Sequence, residues 1–580
     1  MDDEDFDIRP GRSRDTGARS YGKARTLVGR VVTASRKAGH LSLQRGQRQR
    51  GTGHRGRGRR AAVARRGNAL RRRVIVKARV VRHRGTRYRA APLARHVAYL
   101  EREGVTRDGS DAKVFDAGSE VADGDAFAAR CGEDRHHFRF IISPEDALDM
   151  CDLREFTREL LEDMAKDLDT RLDWIAVDHW NTDNPHVHVL VRGTCVDGSD
   201  LVIDRGYISA GLRGRAEERA TAELGPRSER DIRNALAREV EAERWTSLDR
   251  RLAAARDIDG CVDLRPDSAP ASRKSHSFLI GRAQMLERLG LAEPIGPATW
   301  RLKGDFEQTL RALGERGDII KTMHRAMRTA ERAEWAGQFA LHDHPGEQVI
   351  GRLVTRGLHD ELTGEAYAVV EGVDGRAHHL RFADLDRTGD AKPGAIVQTG
   401  SWTDRRGRPQ ASLLVRSDFT LEQQIEARGA TWLDRQLVSA RPERLAGAFG
   451  EEVQEALERR TDVLLEEGLA RRQAGRVVFA RNLLAELQER DLAQVGEALA
   501  AKHGMHVRTP SAEGTDVAGV YRERADLASG RFAVIDNGAE FQLVPWRQDL
   551  ERHLGEAVSG RVNSRGGVDW SFARTRGLAL

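Results

Sequence analysis

Apolar and polar residues alternate most clearly in the N-terminal half of this chain. Residues 173–177 and 186–191 both read as strands, and alternate side chains on a strand share a face. His186 and His188 therefore point one way, and Val187, Val189 and Val191 the other. On the incoming strand His179 shares the face of Ile175 and Val177. The connection Asn181-Thr182-Asp183-Asn184-Pro185 has the residues of a tight reversal, so the two strands pair and three imidazoles can converge. A second alternating run, His136 to Ile142, puts Phe138, Phe140 and Ile142 on one side. Ser143-Pro144-Glu145-Asp146 follows with helix-start chemistry, predicting a helix over 147–169. Pro92 and Gly104 bound another helix, whose buried stripe is Leu93, Val97 and Leu100. Tyr99 falls off that stripe, at an edge, with His96 at i−3 and Glu103 at i+4.

Downstream, charged helices are expected over 214–224 and 230–256, then a Pro/Asp/Ser-bearing linker over 257–273. Residues 274–345 suggest a winged helix: helix, strand-like wing, helix. Apolar alternation between Gly/Asp turns over 346–418 suggests a small β-barrel. Residues 419–580 read as helical and β, with a further wing at 471–479. The fold class is α+β. An N-terminal domain over 74–256 has a central antiparallel sheet with flanking helices, and mixed winged-helix-like and small β-barrel-like modules follow.

Charge changes this picture at the N-terminus. Residues 1–73 hold 21 Lys/Arg against 6 Asp/Glu, or +15, while the rest holds 75 against 84, or −9. Low in apolar residues, this stretch is expected to be a disordered basic tail. Its arginines, Arg59 and Arg60 among them, suit the phosphates of DNA. The four cysteines form no Cys-x-x-Cys pair, as suits a reducing compartment. Without a signal peptide or a membrane-length apolar run, a cytoplasmic protein with no membrane insertion is expected. No Gly-x-x-x-x-Gly-Lys-Ser/Thr phosphate loop occurs, which argues against a fused helicase.

Three neutral imidazoles leave coordination positions open on a bound ion, as catalysis on a phosphate oxygen requires. Imidazole ligands suit zinc, manganese or iron better than magnesium on softness grounds. The spelling His179-x-x-x-Asp183-x-Pro185-His186-x-His188 resembles the third motif of the histidine-hydrophobe-histidine relaxases, in the branch of mobilisation proteins and the T-DNA border endonuclease. Tyr99-Leu-x-Arg-x-Gly104 resembles the first motif, the 136–143 strand and Ser143 the second, and Tyr207-Ile-Ser-x-Gly-Leu-Arg213 the closing segment. The resemblance covers about residues 74–235. The C-terminal half is similar to the uncharacterised domain that often follows relaxases of this branch.

The resemblance implies a palm-like relaxase domain that nicks one strand of a transfer origin. Tyr99 would be the nucleophile, with Tyr88 in reserve. His179, His186 and His188 would hold a divalent ion, magnesium or manganese by resemblance and zinc by donor type. His96, Glu103 and Asp183 are candidate bases, and Asp178 or Asp183 could orient an imidazole. Ser143 and Arg213 join Arg59 and Arg60 as DNA contacts. Implied partners are single-stranded origin DNA, accessory mobilisation proteins and a type IV secretion coupling protein, with passage to a recipient cell. Two alternatives share these features: a rolling-circle replication initiator, and a non-catalytic DNA-binding accessory protein.

Overall fold

The computed structural model describes residues 57–59, 61, 70–83, 91–103, 106–108, 110–180, 184–265, 273–330, 339–342, 348–360, 362–404, 407–503, 506–509, 513–564 and 566–572. The chain divides into two units, Met1–Ala242 with Thr246–Gly304, and Glu243–Trp245 with Asp305–Leu580.

The first unit is built on four strands: β1 (Val74–Arg82), β2 (His136–Pro144), β3 (Trp174–His179) and β4 (His186–Arg192). They pair antiparallel in the order β1-β2-β4-β3. The alternation read from the sequence is kept. Phe138, Phe140, Ile142, Val187, Val189 and Val191 line one face, at most 3% exposed. That face shares one core with Phe156, Leu160 and Met164 of α3 (Leu153–Leu168) and Leu212, Ala216 and Ala220 of α4 (Leu212–Leu224). Each large side chain buried there contributes about 1.5–3 kcal/mol. The opposite face carries the histidines. It is approached by α1 (Ala91–Glu103), which is followed in the chain by α2 (Gly124–Arg130).

The helix expected from residue 147 starts later. Ser143 and Pro144 remain in β2, a single 3-10 turn covers Ala147–Asp149, and α3 begins at Leu153. Asp152 is the stronger cap, because its carboxylate accepts from the amides of both Arg154 and Glu155. The helix then ends close to the expected place, at Asp169 in the left-handed conformation (φ 51°).

Part of the basic tail is fastened down. The Arg57 amide donates to Val202 O at 2.8 Å, and the Asp204 amide donates to Arg57 O at 2.8 Å. The Arg57 guanidinium donates to the carbonyls of Leu168 and Asp169 at the end of α3. Gly58 has φ +87° and lies so close to Leu168 and Tyr207 that a Cβ would stand 2.9 Å from both. Arg72 and Arg73 pair with Asp146 and Glu239. These cations hold the fold together. Arg59 is exposed, whereas Arg60 and residues 1–56 lie outside the described residues.

Helices α5 (Glu229–Val240), α6 (Ser247–Ala255) and α7 (Arg273–Arg288) complete the unit with β5 (Cys261–Asp263), β6 (Ala292–Gly296) and β7 (Thr299–Leu302). The expected linker thus contains a strand. Val262 is buried and pairs with Trp300 in a sheet of order β5-β7-β6.

In the second unit, α8 (Phe306–Thr329) precedes β8 (Phe339–His342), β9 (Ile350–Asp360), β10 (Glu365–Gly372), β11 (Ala377–Phe382), β12 (Ile396–Thr403) and β13 (Pro409–Ser417). These strands form a sheet of order β13-β12-β9-β10-β11-β8, in which only the β11–β8 pair is parallel. Then come α9 (Leu421–Glu426), α10 (Trp432–Leu437), α11 (Gly447–Glu466), the hairpin β14 (Ala470–Gln473) and β15 (Arg476–Phe479), and α12 (Leu483–His503). A second mixed six-stranded sheet ends the described chain. No described helix is long and apolar enough to cross a membrane.

Candidate metal centre

Strand register alone assembles the histidine cluster. On β3 and β4, His179 stands opposite His186, and Val177 opposite His188. All three imidazoles are buried, at 4–8% exposure. One ring nitrogen from each lies within 4.8 Å of the other two.

Hydrogen bonds fix which nitrogens face inward. His186 Nδ1 is 2.9 Å from the Asn184 carbonyl oxygen, which can only accept, so Nδ1 carries the proton and Nε2 the lone pair. By the same logic His179 Nε2 donates to Leu100 O at 3.0 Å, which leaves Nδ1 as its lone-pair nitrogen. His186 Nε2 and His188 Nε2 are 3.0 Å apart. Backbone carbonyls thus orient two of the three rings, as outer partners of metal ligands do. The donor set fits a divalent ion.

The same face bears cations. Lys77 aligns with Ile141, which aligns with His188; Arg79 aligns with Arg139, which aligns with Leu190. Lys77 and Arg79 are exposed and Arg139 half-buried. Arg79 directly opposite Arg139 is a like-charge pair, unfavourable unless an anion joins it. Sequence reasoning missed these residues. The signal was the period-2 run Ile75, Lys77, Arg79 against Val74, Val76, Ala78.

The other candidates separate. Tyr99 lies on α1, one residue before the carbonyl that His179 contacts, so its helix is on the triad face. It is 9% exposed and belongs to the buried set with Leu93, Val97 and Leu100, a correction to the edge position expected for it. The cause is tertiary: α1 is covered on more than one side, with the Leu100 carbonyl at His179 and Val97 against Gly124 at the start of α2. His96 is half-buried on the same helix. Asp183, Tyr88, Arg60 and the Glu103 side chain lie outside the described residues. Asp178 faces away from the triad, and its two oxygens accept from Arg154 Nε at 2.8 Å and Trp180 Nε1 at 2.7 Å. Buried Ser143 donates from Oγ to Pro185 O at 3.1 Å, tying the end of β2 to the turn before His186. Arg213 is exposed on α4.

A second histidine cluster occupies the other end of the sheet. His83 Nδ1 donates to Asp134 O at 2.6 Å, so His83 Nε2 accepts from His137 Nδ1 at 2.7 Å, and His137 Nε2 accepts from Arg139 Nε at 3.1 Å. Both rings are neutral in this relay. Burial pushes His137 down to about 2, with Arg139 and His83 adding to the effect. Burial also lowers His83. Each of these ring nitrogens is used within the protein.

The family model described as "Protein of unknown function (DUF3363)" matches residues 279–410 and 398–579, together 301 of the 580 residues. This chain belongs to that family. The DUF3363 match begins within α7 and runs to the C-terminal strands, leaving the histidine triad outside it. No curated protein and no solved structure matches the chain.

Proposed function

We propose that the first unit is a metal-dependent DNA strand transferase of the relaxase type, built on a palm-like sheet. It nicks one strand at a transfer origin and retains the 5′ end. One observation carries this reading: three buried imidazoles, two of them oriented by carbonyls, converge on a sheet face that also presents Lys77, Arg79 and Arg139. His179, His186 and His188 would hold a divalent ion, which supplies polarisation of a phosphoryl oxygen.

The remaining chemistry belongs to the chain's own residues. Lys77, Arg79 and Arg139 bind the strand's phosphates beside the triad. The Tyr99 oxygen attacks the scissile phosphorus, the bond to the 3′ oxygen breaks, and a 5′ phosphotyrosine and a free 3′ hydroxyl result. The phenolic proton leaves to a base, with His96, Glu103 and Asp183 as the candidates; the leaving 3′ oxygen takes up a proton. Because Tyr99 is buried, α1 must shift for its hydroxyl to reach DNA. The bond energy stays in the phosphotyrosine, so the cut end can be rejoined. A cytoplasmic site of action, accessory mobilisation proteins and a type IV coupling protein belong to this same proposal.

The test uses the full chain, manganese, and labelled single-stranded oligonucleotides tiling the DNA around its coding sequence. One oligonucleotide should give a covalent adduct whose modified peptide contains Tyr99. Tyr99→Phe should abolish the adduct and keep binding. An adduct that survives in Tyr99→Phe moves the nucleophile elsewhere, and no adduct with any divalent ion sinks the proposal.

A further inference from the structure

One supersecondary unit occurs twice in this chain. In the first copy, Thr246 and Asp249 form a capping box at the start of α6, and the buried Asp249 carboxylate takes a two-pronged contact from Arg282 of α7, at 2.8 and 2.9 Å. The same guanidinium donates to Val240 O and Ala242 O, at 3.0 and 2.6 Å, at the C-terminal end of α5. In the second copy, Thr431 and Asp434 form the capping box of α10, and Arg460 of α11 grips Asp434 at 2.8 and 3.0 Å. Its other amino group donates to Ile425 O and Ala427 O, at 2.9 and 2.6 Å, at the C-terminal end of α9. Arg282 and Arg460 are 0% and 1% exposed.

The likeness continues past each arginine. Eight residues on stands Gly290 or Gly468, followed in both by Leu-Ala, where a hairpin begins. Each hairpin turns through an alanine with φ 50°, Ala298 or Ala474. Each is closed by the same bonds: Leu291 N to Leu286 O and Lys303 N to Leu291 O, matched by Leu469 N to Leu464 O and Ala480 N to Leu469 O. A long helix then starts four residues after the hairpin, at Phe306 or Leu483. Helix, helix and wing in this order form a winged-helix-like module, here duplicated.

The scaffold is shared, but the wing surfaces differ. The first hairpin exposes Glu293, Pro294, Ile295, Gly296 and Pro297, and its Arg301 is answered by Glu293 at 3.8 Å. The second exposes Arg471, Arg472, Gln473, Ala474, Gly475 and Arg476, with Arg481 just beyond. Of these arginines only Arg472 has an ion-pair partner among the described residues, Asp462 at 3.7 Å with both side chains largely exposed. A pair so exposed is screened by water and is readily exchanged for another anion.

The geometry points to the second wing as a clamp for the phosphate backbone of duplex DNA, while the first wing, whose exposed tip carries no arginine, does not touch nucleic acid. Choosing DNA among polyanions rests on the nuclease reading of the first unit. Contact is confined to the hairpin, because α11 exposes Glu451, Glu455 and Glu458, which repel phosphates. A wing that meets only the backbone adds affinity without reading sequence.

The test measures binding of the full chain to a mixed-sequence duplex over a sodium chloride series, with chelator present so that no cleavage takes part. Replacing Arg471, Arg472 and Arg476 together by Gln should lower the slope of log affinity against log salt by about 2–3 and weaken binding about tenfold or more at low salt. Arg301→Gln with Lys303→Gln in the first wing should change neither quantity. Arg476→Gln alone should lower the slope by about 1, which preserves the test if the triple variant misfolds. An unaltered slope overturns the proposal, as does equal loss from both wings or a preference for duplex RNA or anionic vesicles over DNA. Because metal and cleavage are absent, this result stands apart from the fate of the nuclease reading.

Discussion

Two histidine clusters share one four-stranded sheet and are opposite in kind. At one end His179, His186 and His188 turn nitrogens toward one another, with carbonyls behind two of the rings. At the other end His83 and His137 are spent on each other, on Asp134 and on Arg139. Burial is similar for the triad and His137, so burial does not separate a ligand from a structural histidine. What separates them is where the second nitrogen goes. In the triad one nitrogen from each of three rings converges within 4.8 Å of the others, whereas the relay runs in a line from the Asp134 carbonyl through His83 and His137 to Arg139.

The strongest way to break this comparison is to remove one ring from each cluster and measure metal. His188→Ala should cost several kcal/mol of transition-state stabilisation, on the order of 10³-fold in nicking rate, together with retained manganese or zinc. His137→Gln should leave bound metal, measured by mass spectrometry of the desalted protein, at the wild-type level. Equal metal loss in both variants would show that the two ends are not different in kind.

Stability should run the other way. His137→Ala empties a fully buried site and leaves His83 Nε2 and Arg139 Nε without their partner, so a loss of about 2–4 kcal/mol is expected in chemical denaturation. In chelator, His188→Ala should cost less, since it withdraws one hydrogen bond, that between the two Nε2 atoms, where His137→Ala withdraws two. A larger loss from His188 than from His137 would mean that the triad is itself the structural cluster.

These contrasts also show what was legible in the sequence. The triad could be read because strand alternation and a Pro-bearing reversal are local, and both survive in the register of β3 and β4. The cations beside it obey the same period but had no motif to draw the eye. Tyr99 was misjudged because what covers α1 is tertiary. The late start of α3 turned on competition between two caps, Ser143 and Asp152, which periodicity cannot rank. The arginine clasps join residues 33 and 26 positions apart, so no local pattern announces them. Their trace was there all the same: Thr-x-x-Asp, later an Arg, and Gly-Leu-Ala eight residues on, spelled twice.

A pH titration sharpens the comparison further. His137 is held down to about 2 in the folded protein, against an ordinary value of 6.5. Below pH 6.5 the unfolded chain takes up a proton that folded His137 refuses, so stability falls as pH falls, by up to about 1.4 kcal/mol per pH unit. His83 is shifted in the same direction and adds to the slope. Denaturation midpoints between pH 7 and pH 5 should therefore drop in the wild type, and less steeply in His137→Gln. A slope unchanged by that substitution would place the acid-sensitive group elsewhere.

The smallest effect concerns the frame around the triad. The hydroxyl of Ser143 donates to Pro185 O, which fixes the end of β2 against the residue that precedes His186. Ser143→Ala removes one buried hydrogen bond and leaves the Pro185 carbonyl unanswered, a loss of about 0.5–1.5 kcal/mol. Were Ser143 mainly a DNA contact, the variant would bind oligonucleotide more weakly and hold metal as before. If its part is to set the turn, metal affinity should fall modestly while DNA binding in chelator stays unchanged. Measuring both on one preparation decides between the two roles, because the hydroxyl has a single proton to donate and Pro185 already receives it.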